Sequence, residues 1–112
     1  MLDLTENQLA VLRYLLARRV PGCEVRAFGS QVTGRARRHS DLDLAILSER
    51  PLPAITLAEL RADLEESDLP FRVDVVEWSD LPEGLRAEIR AHSELIHEKG
   101  GSLGTERFAT DS

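Results

Sequence analysis

Residues Asp41 to Leu47 read Asp-Leu-Asp-Leu-Ala-Ile-Leu, and this alternation is the pattern of a half-buried β-strand. Leu42, Leu44 and Ile46 fall on one face, Asp41, Asp43 and Ala45 on the other. A strand with one apolar face must lie in a sheet covered by another layer, and the elements around it supply that layer. Thr5 to Arg19 has helical spacing at Leu9, Leu12 and Leu16, a capping-box pair at Thr5 and Gln8, and a stop at Pro21-Gly22. Glu24 to Phe28 is a short strand that runs into a loop containing Gly29 and Gly34.

After a proline-containing connection, Thr56 and Glu59 have the spacing of a second capping box, opening a helix carried by Leu57, Leu60 and Leu64. Phe71 to Trp78 alternates as a third strand, with Phe71, Val73 and Val75 facing one way and Arg72, Asp74 and Val76 the other. Leu81 to about Glu98 reads as a third helix with Leu85, Ile89 and Ile96 on its apolar side and Pro82 in its first turn. The order helix, strand, strand, helix, strand, helix predicts an α/β (α+β) domain: a small mixed β-sheet with helices mainly on one face. The domain is expected over residues 1–99, with a disordered, glycine- and serine-rich tail over 100–112.

On the polar face, the carboxylates of Asp41 and Asp43 stand about 7 Å apart at the backbone. Like charges resist burial unless a positive group compensates them, and a divalent cation is the natural compensator. Oxygen donors without a histidine or thiolate at metal-binding spacing select a hard ion such as Mg²⁺ over zinc. Asp74 adds a third carboxylate from a later strand, enough for two ions about 4 Å apart, as phosphoryl transfer uses them. Upstream, Gly29-Ser30 follows a strand directly, where a tight turn exposes backbone N–H groups and a hydroxyl to a phosphate. Arg26, Arg35, Arg37 and Arg38 form a basic stretch without an acid between Arg26 and Arg38. On a chain of net charge −6 such a stretch suits a small polyanion and argues against a nucleic-acid coat.

The segment AFGSQVTGRARRHSDLDLAIL, Ala27 to Leu47, resembles the signature of the DNA polymerase β-type nucleotidyltransferase superfamily, and in length its minimal nucleotidyltransferase (MNT) branch. That signature is Gly-Ser, ten residues, Asp-x-Asp and a third acid on a later strand; Gly29, Ser30, Asp41, Asp43 and Asp74 match it. The resemblance implies a polymerase β-like palm fold and metal binding by Asp41, Asp43 and Asp74, which are also the catalytic residues. It implies nucleotide phosphate binding around Gly29, Ser30, Gly34 and Arg35. Many members carry Gly-Ser-Arg-Ala-Arg-Gly; here Gln31 and Thr33 stand where two arginines are expected.

The resemblance further implies two Mg²⁺ ions, ATP or another nucleoside triphosphate as substrate, and AMP transfer to a protein hydroxyl. The partner would be a HEPN-type helical toxin, held in a hetero-oligomer and neutralised by this chain as antitoxin. The alternatives are a non-catalytic nucleotide- or partner-binding antitoxin module and an antibiotic-modifying nucleotidyltransferase subunit. One cysteine, Cys23, excludes an internal disulfide and suits the cytoplasm, and no apolar run has membrane-spanning length. Cys23 reads as an inert small apolar residue, His92 and His97 as helix residues out of metal-binding spacing, and Trp78 as the end of a strand.

Overall fold

The computed structural model describes residues 4–29 and 41–98. Helix α1 spans Glu6–Arg19, strand β1 Glu24–Phe28, strand β2 Leu42–Leu47 and helix α2 Ala54–Glu66. Strand β3 is Val73–Glu77, followed by a 3₁₀ turn at Trp78–Asp80, helix α3 at Glu83–Ala91 and strand β4 at Glu94–His97. The sheet order is β3-β2-β1-β4, with β2 and β3 parallel and the other two pairs antiparallel. None of the described helices is long and apolar enough to cross a membrane.

The capping box on α1 is complete. The Gln8 N–H donates to Thr5 Oγ1 and the Thr5 N–H donates to Gln8 Oε1, each at 3.0 Å. Thr5→Ala is expected to lower the unfolding free energy by about 1 kcal/mol, and a thermal melt reads this as a midpoint about 4–8 °C lower.

The second capping box does not form. Helix α2 begins at Ala54 with Pro53 as its N-cap and no side-chain cap. The Pro53 carbonyl already accepts from the N–H groups of Thr56 and Leu57, at 3.0 and 3.3 Å. The helix therefore starts before Thr56 can cap it, and Thr56 lies within the first turn.

One core lies between the sheet and helices α1 and α2. Leu12, Leu16, Val25, Ala27, Leu42, Leu44 and Leu60 are fully buried in it. Arg19 ties the two helices at their rim, its Nε and Nη2 donating to the two oxygens of Asp63 at 2.6 and 3.2 Å. These bonds raise the guanidinium pKa above its ordinary value and hold the Asp63 carboxyl below its own.

The third predicted helix ends early. It stops at Ala91, and Glu94–His97 pairs antiparallel with β1 as a fourth strand. Ladder hydrogen bonds to β1 and a place for Ile96 in the main core come only to a strand here, and these non-local contacts override the helical seven-residue spacing of Ile89 and Ile96. Thus Ile96 enters the main core from a strand. His92 is the C-cap residue of α3. His97 is buried on β4, with Nδ1 2.9 Å from the carbonyl oxygen of Cys23, itself buried.

Helix α3 serves the other face. Its fully buried Ile89 shares a hollow with Glu24, Arg26, Leu47 and Trp78. Trp78 lies in the 3₁₀ turn after β3 rather than on the strand, with the Arg86 and Arg90 guanidinium groups 5.7 and 5.3 Å from its ring centroid. Helix α3 thereby covers the Glu24–Leu47 end of the polar face. The Phe28–Asp43 end remains for the carboxylates.

Candidate active site

Two strand registers build the site. Asp43 lies opposite Phe28 on β1 and opposite Asp74 on β3. Asp43 and Asp74 are therefore side-by-side residues of adjacent strands, where side chains interact directly. Asp41 is exposed and immediately precedes β2.

The Asp43 carboxyl is half-buried, and burial pushes its pKa above the ordinary value. Asp74 and then Asp41 add to the rise by like-charge repulsion. Asp74 pairs instead with Arg72, two residues back on the same face, whose Nε lies 3.3 Å from Asp74 Oδ1. That pair is largely exposed and of small energetic weight. Among the described residues no three acidic, histidine or cysteine side chains converge closely enough to hold an ion. Hard oxygen donors on neighbouring strands, one with an unfavourable charge, are the chemistry that a divalent cation fits.

Gly29 closes the site from β1. Its φ is +86°, and a Cβ built on it would stand 2.5 Å from Asp43 Oδ2. The sequence marks this glycine for a phosphate-binding turn; its approach to Asp43 depends on the β1–β2 register and is not visible in one dimension. Alternation places Arg72 on the face of Asp74, but no motif marks the ion pair the two form. Ser30, Gly34 and Arg35, together with Gln31 and Thr33, lie outside the described residues.

A mixed sheet with two helices on one face, and acidic side chains beside a glycine turn on the part of the other face that α3 leaves open, has the architecture of a nucleotidyl-transfer enzyme. The family model described as "Polymerase beta, Nucleotidyltransferase" matches residues 24–101. The chain belongs to this family of nucleotidyltransferases. A nucleoside triphosphate is the substrate that such an enzyme uses.

Among curated relatives, "Probable protein adenylyltransferase MntA" of Haemophilus influenzae is 44% identical over 98 residues, covering 88% of this chain and 86% of the relative. A solved toxin–antitoxin structure with AMP-PNP superposes with a TM-score of 0.68 at 26% identity, covering 81% of this chain and 73% of that one. A structure of a tri-AMPylated Shewanella oneidensis HEPN toxin with its MNT antitoxin gives a TM-score of 0.61 at 23% identity, with 81% and 70% coverage. This last likeness concerns the fold.

Proposed function

We propose that the chain is an antitoxin that transfers AMP from ATP to a hydroxyl of a HEPN-type toxin, with Asp41, Asp43 and Asp74 as its catalytic and metal-binding residues. The observation that carries this reading is the register of Asp43 with Asp74, beside the close approach of Gly29. The Haemophilus relative is named for protein adenylylation, and the Shewanella toxin carries AMP groups in complex with an MNT antitoxin. Two Mg²⁺ ions held by the three aspartates would neutralise the triphosphate and lower the pKa of the acceptor hydroxyl.

The protein's own part is positioning and charge. Asp41 and Asp43 would position the α-phosphate end of the nucleotide against β2 through the cations they hold, while Gly29, Ser30, Gly34 and Arg35 would hold the outer phosphates. The acceptor oxygen attacks the α-phosphorus in line, and the bond to the bridging oxygen of the β-phosphate breaks. Pyrophosphate leaves, and Asp74 takes the hydroxyl proton. ATP as substrate and a single buried, unbridged cysteine suit the cytoplasm.

The test is incubation with Mg²⁺, ATP labelled at the α-phosphate and the cognate HEPN-type toxin. Label on the toxin is the expected result. A stable complex without label would make the chain a binding module, and label on an added aminoglycoside would make it an antibiotic-modifying subunit. Chelation of the metal is expected to remove transfer and leave the far-UV circular dichroism unchanged, since the core between the sheet and α1/α2 involves none of the triad.

A further inference from the structure

The edge strand nearest the carboxylates is β3. Among the described residues it ends the sheet, and of the triad residues Asp74 is the one it carries. On its inner side the Leu42 N–H donates to the Arg72 carbonyl at 2.8 Å, and β2 pairs with β3 in parallel register. Alternation along a parallel ladder then turns the N–H and C=O groups of Val73 and Val75 outward. Arg61 Nη2 donates to the Val75 carbonyl at 3.0 Å, so one outward acceptor is covered by a side chain from α2.

Beside this edge runs a groove of about 570 Å³, lined on the helix side by Leu64, Glu65, Leu69 and Phe71. It continues round the strand to Asp74 on the polar face. Leu69, Phe71 and Val73 are only partly buried against the core, which leaves apolar surface facing the groove.

We infer that this edge and groove are the docking track for an extended segment of the acceptor protein, paired to β3 as an added strand. The inference rests on the transfer reading for the chemistry, but its geometry stands on the sheet alone. Neighbouring strands lie about 4.8 Å apart, and side chains alternate between faces. A segment paired with Val73 and Val75 would send one set of side chains over Leu64, Leu69 and Phe71. The alternate set would stand on the polar face beside Asp74, as Asp74 stands beside Asp43. A hydroxyl in that set would meet the carboxylate assigned to take its proton. The opposite edge, β4, lies two strands away from β2 and offers no such alignment. Strand addition supplies affinity through the main chain and specificity through the alternate side chains.

The test uses two variants of the whole chain. Val73→Pro removes an outward N–H without removing a bond to β2, and edge strands tolerate proline. Glu65→Trp fills the groove from an exposed position on α2. Binding of the cognate HEPN-type toxin is measured by calorimetry, together with KM for the toxin and affinity for ATP. The expected result is toxin binding at least tenfold weaker and a raised toxin KM, with ATP affinity unchanged. Toxin affinity within twofold of wild type in both variants overturns the docking track; if Val73→Pro does not fold, Glu65→Trp decides alone. Asp43→Asn separates the two readings, because it is expected to bind toxin normally and transfer nothing. Should the wild-type chain transfer no label, the binding measurement still decides where the partner docks.

Discussion

Asp43→Asn is expected to abolish nucleotide transfer, by a factor of at least about 10³, while making the metal-free protein more stable. The two effects have one cause. Asp43 is held half-buried opposite Asp74 and near Asp41, and its pKa is raised in the folded state by burial first and by these neighbours second. A carboxyl with a raised folded-state pKa contributes stability below its unfolded-state pKa and loses that contribution as pH rises through the folded value. At neutral pH the ionised group is therefore a cost, a modest one because solvent screens the half-exposed carboxyl. Asparagine keeps the shape and removes the charge, so the midpoint of unfolding should rise by a few degrees at pH 7. The gain should shrink to nothing in acid, where Asp43 is protonated in both states.

Metal binding should follow the reverse course. Protons compete with the cation for Asp43, so Mg²⁺ affinity in the wild type should climb with pH through that raised pKa. Melts of both proteins across pH, with and without Mg²⁺, test both claims. Equal stability of the two metal-free proteins at pH 7 would remove the electrostatic account, and near-normal transfer by the variant would remove Asp43 from the metal site.

Much of this arrangement is local and so can be read in one dimension. The two-residue period of Asp41 to Leu47 places Leu42, Leu44 and Ile46 in the core and sends Asp43 to the other face. Thr5 and Gln8 cap α1 because both partners lie within a single turn. What escapes the sequence is pairing at a distance. Glu94–His97 becomes a strand through pairing with β1, far away in the sequence, and the spacing of Ile89 and Ile96 conceals it. Pro53 starts α2 ahead of Thr56 because its carbonyl is already positioned to accept. In the candidate site, alternation gives Asp43 and Asp74 their common facing, but their register, the Arg72 contact and the approach of Gly29 arise only when three strands assemble.

Gly29→Ala should be the most damaging single-methyl change in the site. The φ of +86° alone carries a cost of about 1–2 kcal/mol for a residue with a Cβ. The new methyl would also sit 2.5 Å from Asp43 Oδ2, well inside van der Waals contact, so one of the two must move. Phe28 and Asp43 are held opposite each other by the β1–β2 pairing, which leaves the carboxylate as the softer partner. Turning it away displaces the oxygen proposed to hold the cation. We therefore expect a loss of about 1–3 kcal/mol in stability and at least about 10²-fold in transfer, with stabilisation by Mg²⁺ largely gone. Gly22→Ala is the control, since a Cβ there meets nothing within 4 Å. If Gly29→Ala were merely less stable but bound Mg²⁺ as the wild type does, the glycine would serve the turn alone. Loss of Mg²⁺ binding at temperatures where the variant is fully folded would instead show that the bare backbone at position 29 keeps the Asp43 carboxylate in place.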